Sequence, residues 1–205
     1  MTEKTLDNLN DIQFDVLKEI GNIGAGNATT ALAKMMNMKI DMNVPRVELV
    51  PFTNLPDTFG SPEEVLAGIL VQLDGDIKGM MMFLVKEESA HNLVNSLMGG
   101  MVPEGDGSFS DMELSALSEI GNIIIGAYLS AMSNLTNLKI ASSIPYISID
   151  MAGALLSVPA IEFGKLGDKV LLIETQFGEL DFVNGYFLMV PELESYGTIL
   201  SSLGM

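Results

Sequence analysis

The chain has 205 residues, 48% of them hydrophobic, which is enough for a sizeable core and too many for a disordered chain. Ten Lys and Arg face 27 Asp and Glu, and the resulting net charge of -17 repels a phosphate backbone, so nucleic acid is not an expected partner. Cysteine is absent, which removes disulfides, thiolate metal sites and cysteine nucleophiles and suits a reducing cytoplasm.

The first ten residues are polar and lack the apolar core of a signal peptide. No apolar run approaches the roughly 18 residues that would span a bilayer, so a soluble cytoplasmic protein with no membrane partner is expected. Asn10 and Gln13 have the spacing of a reciprocal helix cap. A long helix is predicted from there to about Asn37, with Ile12, Val16, Ile20 and Ile23 as its buried stripe. Lys39 to Pro51 reads as a strand that Pro45 demotes to an edge or a bend. Val65 to Leu73 and Met80 to Val85 flank Asp74-Gly75-Asp76, the pattern of a hairpin. A shorter helix, Glu87 to Met98, closes the unit, and the single histidine, His91, reads as a surface residue of it. The fifteen methionines are expected to fill the core.

The same order then returns. At an offset of 100, Glu19-Ile20-Gly21-Asn22-Ile23 falls on Glu119-Ile120-Gly121-Asn122-Ile123. Asn37-x-Lys39-Ile40 and Pro45 fall on Asn137-x-Lys139-Ile140 and Pro145. Ser110 with Glu113 repeats the cap, and Met112, Ala116, Ile120 and Ile123 repeat the stripe on a helix running to about Asn137. A strand from Lys139 to Asp150 follows. The register then drifts, which places an insertion in Met151 to Leu166. Val170 to Gln176 and Phe182 to Val190 flank Phe177-Gly178-Glu179 as a second hairpin, and Glu192 to Leu203 is the closing helix. The prediction is an α+β fold in which an α-β-β-β-α unit occurs twice with pseudo-twofold symmetry. Its halves run from about 10 to 100 and from 110 to 203, forming a single domain whose mostly antiparallel sheet is covered by the two long helices.

Asp15, Glu19 and Asn22 lie at i, i+4 and i+7 and form one polar stripe, which Ser115, Glu119 and Asn122 repeat. A single stripe of this kind reads as a solvated face. Duplication argues otherwise, because the carboxylate and the amide are kept in both copies while Lys18 has become Ser118. A carboxylate can pair with a partner's lysine, and a carboxamide, which donates and accepts, can hold a water in a fixed orientation. No Ser-His-Asp or Cys-His set can be assembled from one histidine and no cysteine. No cluster has metal-ligand spacing, so any metal would come with the substrate. Gly21, Gly24 and Gly26 look superficially like a phosphate loop, but they lie inside a helix instead of opening one, and Ile124 replaces Gly24 in the second copy. Glycines 21, 26, 121 and 126 are expected to let the long helices approach each other or the sheet.

The twin Glu-Ile-Gly-Asn cores, each preceded four residues earlier by Asp or Ser, resemble the CheC family of CheY phosphatases, which is related to CheX and FliY. The resemblance extends over essentially the whole chain and is closest to CheC. It implies two active sites, Glu19 with Asn22 and Glu119 with Asn122, with Asp15 and Ser115 as accessory motif positions. It also implies a mechanism in which the asparagine orients water for attack on the aspartyl phosphate of CheY while the glutamate grips that regulator's lysine. The protein would need no cofactor of its own, because Mg²⁺ is supplied by the regulator. A second implied partner is CheD, for which Asp150 and Met151 in the segment Ile149 to Leu155 are the candidate contacts, although this apolar segment could equally be buried in the protein's own core. A non-catalytic module that sequesters CheD or scaffolds the flagellar switch is the alternative. The internal pseudo-dimer makes a monomer the simpler expectation.

Overall fold

Ser110 and Glu113 cap the second long helix reciprocally. The Ser110 hydroxyl accepts from the Glu113 amide at 3.3 Å, and the Glu113 carboxylate accepts from the Ser110 amide at 2.8 Å. The computed structural model describes residues 11–37, 39–100, 108–163, 169–177 and 183–202. Asn10, the equivalent cap of the first long helix, lies outside these residues. Helix α1 spans Asp11–Met36. Both long helices end where the sequence places them, at Asn37 and Asn137, with φ of 50° and 55°. Asparagine is among the few residues that enter this left-handed region readily, so it stops a helix at little cost.

In chain order α1 is followed by β1 (Met42–Pro51), a 3-10 turn (Phe52–Asn54), α2 (Leu55–Thr58), β2 (Val65–Gly75), β3 (Gly79–Lys86) and α3 (Glu87–Leu97). The second half has α4 (Asp111–Thr136), β4 (Ile140–Ser142), β5 (Tyr146–Met151), α5 (Ala152–Phe163), β6 (Lys169–Phe177), β7 (Val183–Pro191) and α6 (Leu193–Ser202). The helix α5 occupies the place assigned to the insertion. Its counterpart in the first half is the 3-10 turn with α2. Gly178 and Glu179 of the second hairpin turn, and Leu203 at the end of α6, lie outside the described residues.

All strand pairs are antiparallel, in the order β1-β6-β7-β3-β2-β4, with β5 pairing β2 beyond β4. The halves are interleaved: β1 of the first pairs β6 of the second, and β5 of the second pairs β2 of the first. Between them the two hairpins meet along β3 and β7, where Phe83 lies opposite Phe187. Both segments in which an internal proline interrupts the predicted strand lie at sheet edges. Pro45 sits at a register irregularity of β1, between Asn43 and Arg46, and Pro145 divides β4 from β5.

Strand alternation separates two cores. Ala67, Ile69, Val71, Met81, Phe83, Val85, Leu171 and Ile173 face the long helices, together with Leu17, Ile20, Leu117 and Ile120. Leu66, Met80, Met82, Leu84, Leu172 and Leu188 face away, towards Leu55 and Phe59 on one side and Ala152, Leu155 and Leu156 of α5 on the other. The buried stripe of α1 therefore runs through Leu17, Ile20, Gly24, Ala28 and Leu32, turned round the helix from the predicted one. Ile12 and Met112 are consequently exposed, at 70% and 66%.

On the long helices, the close approaches expected of glycine occur at two positions. A Cβ on Gly121 would lie 2.3 Å from Cδ1 of Ile69, so α4 rests directly on β2. A Cβ on Gly24 would lie 2.8 Å from the Tyr128 ring and 3.1 Å from its Cα, so Gly24 is where the long helices touch. A Cβ on Gly21 would meet Val44 at an ordinary 3.4 Å, whereas one on Gly26 or Gly126 would meet nothing within 4 Å among the described residues.

By composition α4 is long and apolar enough to cross a membrane, with a mean hydropathy of 1.3 over 18 residues, contrary to the expectation that no such stretch exists. Half of that window is buried in this fold, because its apolar side chains face α1 and the sheet.

Candidate functional site

On an ideal helix, at 100° per residue, Asp15, Glu19, Asn22 and Gly26 fall within an arc of about 60°. That arc lies on the opposite side of α1 from Leu17, Gly24 and Ala28. The structure exposes Asp15, Glu19 and Asn22 on α1 and Ser115, Glu119 and Asn122 on α4. Each triad is brought together by one helix, and the two helices lie side by side through Gly24 and Tyr128. Among the described residues none of these six side chains has a hydrogen-bond or ion-pair partner. Three carboxylates, two amides and a hydroxyl are thus presented to solvent on rigid supports, with their hydrogen-bonding capacity unused among the described residues.

Several packed side chains hold the stripes in place. The Tyr128 hydroxyl and that of Thr175 share a buried 2.9 Å hydrogen bond that ties α4 to β6. The Tyr128 ring lies 4.2 Å from that of Phe187, beneath the crossing of the long helices. Burial pushes the Tyr128 phenol up to about 12, and the bond to Thr175 opposes this only in part. At the start of α4, hydrogen bonds from the Ser110 amide and hydroxyl hold the Glu113 carboxyl below the usual carboxylate range against desolvation, with His91 adding to the effect. His91 is not a plain surface residue. Its ring stacks on Phe109 at 3.8 Å and its Nδ1 lies 3.5 Å from Glu113, so it pins α3 to the helix that carries the second triad.

Asp150 and Met151 are exposed at the end of β5, and the Asp150 carboxylate accepts from the Met151 amide at 2.8 Å. The apolar segment around them divides at this point, since Ala152, Leu155 and Leu156 are buried in the second core. Tyr146 and Ile161, on β5 and α5, are exposed. Among the described residues no group of three His, Asp or Glu is placed to hold a metal ion.

With this geometry in view, comparison with known proteins is decisive. The chain is 34% identical over 196 residues to the CheY-P phosphatase CheC of Bacillus subtilis, spanning 94% of both chains. The chain belongs to the CheC-like family. That family's model matches residues 12–49 and 112–149, which are the long helices, their triads and the proline-bearing strands that follow. The flagellar motor switch phosphatase FliY of Bacillus subtilis is 31% identical over 144 residues, which is 70% of this chain and 37% of FliY. The crystal structure of Thermotoga maritima FliY superposes with a TM-score of 0.75 over 96% of this chain and 98% of that one; at 20% identity it shows a shared fold. The two matched segments lie 100 residues apart, which is the offset of the internal repeat.

Proposed function

We propose that this protein is a chemotaxis phosphatase that stimulates hydrolysis of the aspartyl phosphate of the response regulator CheY. The observation that carries the reading is the pair of solvent-facing Glu and Asn stripes on a chain 34% identical, nearly end to end, to a CheY-P phosphatase. The halves act as one unit that offers two sites.

Hydrolysis of an aspartyl phosphate requires a water in line with the phosphorus–oxygen bond to the aspartate. The carbonyl oxygen of Asn22 or Asn122 accepts one hydrogen of that water, or the amide donates to its oxygen, and either fixes its direction. Fixing the nucleophile removes orientational entropy from the barrier, so the helix needs to supply neither a nucleophile nor a strong base. Glu19 or Glu119, about one helical turn away, pairs with the regulator's lysine and holds the two proteins in register. Asp15 and Ser115 contribute to the same docking face. The Mg²⁺ that offsets phosphoryl charge belongs to the regulator. Phosphate leaves and the aspartate carboxylate is restored, with this protein unchanged.

CheD is the second proposed partner, docking at the end of β5 where Asp150 and Met151 are exposed beside Tyr146 and Ile161. The protein acts as a monomer in the cytoplasm in this reading. Incubation with phosphorylated CheY, with and without CheD, is expected to release phosphate faster than CheY alone. Release at the spontaneous rate in both cases, with CheD still bound, would replace the enzyme by a non-catalytic module that sequesters CheD or scaffolds the flagellar switch.

A further inference from the structure

Positions 12, 15, 19, 22, 26, 30 and 34 of α1 are exposed, and so are their counterparts 100 residues on in α4. Four of these pairs have diverged: Ile12 with Met112, Asp15 with Ser115, Thr30 with Ser130 and Lys34 with Asn134. The other three are Glu, Asn and Gly in both helices, one continuous stripe at i, i+3 and i+7. Gly26 and Gly126 have therefore been kept as strictly as the two groups assigned to chemistry.

Nothing among the described residues accounts for them. Neither glycine has a positive φ, and a Cβ at either would meet nothing within 4 Å among the described residues. The Thr30 hydroxyl donates to the Gly26 carbonyl at 3.0 Å, a bond that any residue at position 26 would permit. Glycine in a helix interior is the poorest choice after proline, since it adds backbone entropy to the unfolded state and buries nothing. Gly24 and Gly121 show the contrasting case, where the neighbour that forbids a side chain is in the chain itself. At 26 and 126 no such neighbour stands among the described residues, and the site one turn away is the one proposed to receive another protein.

We infer that Gly26 and Gly126 are specificity-determining positions, at which the phosphorylated regulator comes against bare helix backbone as the adjacent Glu and Asn engage its active site. The inference rests on the phosphatase reading above and extends it to the shape of the docking face. A side chain there holds the regulator off, so its effect grows with size and falls on association.

The test compares the wild type with two double variants, Gly26→Ala/Gly126→Ala and Gly26→Leu/Gly126→Leu. Steady-state phosphate release is measured over a range of phosphorylated CheY concentrations, and thermal unfolding in parallel. The alanine variant is expected to melt higher than the wild type and to show KM for CheY raised about tenfold, with kcat little changed. The leucine variant is expected to show a larger rise. Unchanged KM in both variants would overturn the inference, and so would a lower melting temperature of the alanine variant, since that reveals an internal role. Absence of stimulated release by the wild type itself would instead remove the phosphatase reading, and this inference with it.

Discussion

Tyr128 illustrates how one side chain on the inner face of a helix fixes the outer one. Its ring fills the space left by Gly24, and its hydroxyl reaches Thr175 on the sheet. Its counterpart at the equivalent position of α1 is Ala28, while the counterpart of Gly24 is Ile124. At both equivalent positions α1 carries the small residue and α4 the large one. This asymmetry is why Gly24 could not be recognised from the repeat as a contact residue, whereas Gly121, identical to Gly21, stood out. The Tyr128 phenol has its folded value raised above the ordinary 10 to about 12, so the fold favours the neutral form. Its contribution is complete below pH 10 and is lost as pH rises through about 12. Tyr128→Phe is expected to lose about 1 kcal/mol at neutral pH, because the Thr175 hydroxyl is left buried without its partner. It should also remove part of the alkaline decline. Urea unfolding of both proteins at neutral pH and above pH 10 checks both effects, and parallel alkaline curves would contradict the second.

The long helices were the most legible elements because their ends carry local chemistry. Ser110 with Glu113 announces the start of α4, and Asn37 and Asn137 stop both helices by entering the left-handed region. The edge strands were legible through Pro45 and Pro145, which cannot donate to a ladder. The elements on the second face of the sheet were not. One turn, as in α2, is too short to show a period, and α5 is apolar almost all round and contains Pro159, so neither carries the signature of an amphipathic helix. His91 was misplaced for a related reason: its partners, Phe109 just before α4 and Glu113 in its first turn, belong to the second half of the chain. The cap of α4 yields a prediction at this scale. Glu113→Ala should cost about 1 kcal/mol, since it removes the reciprocal cap and the group that His91 faces. The depressed carboxyl of Glu113 stabilises the fold above the ordinary carboxylate range, and that contribution disappears as pH falls through its lowered value. Stability curves of wild type and variant should therefore converge in acid, and curves that stay equally separated would contradict the assignment.

At the scale of the molecule, the exchange of first strands between halves makes a single sheet from two copies of one unit. The consequence for function is symmetry. Each copy keeps its inner helix face for the core and leaves its outer face exposed, so duplication of the fold duplicates the stripe proposed to dock the regulator. The sequence revealed the stripes through their identity in both copies, and it revealed their orientation only in outline, because the predicted buried stripe was displaced round the helix. What it could not show is that, among the described residues, Glu19, Asn22, Glu119 and Asn122 have no partners of their own, a property of the packed molecule. The central claim, that these two amides act in trans on another protein's aspartyl phosphate, is tested most directly by one rate. With phosphorylated CheY at saturation, Asn22→Ala/Asn122→Ala is expected to bring phosphate release down to the regulator's own rate while melting temperature and CheY binding are retained. A double variant that is folded, binds CheY and hydrolyses at the wild-type rate would contradict the account.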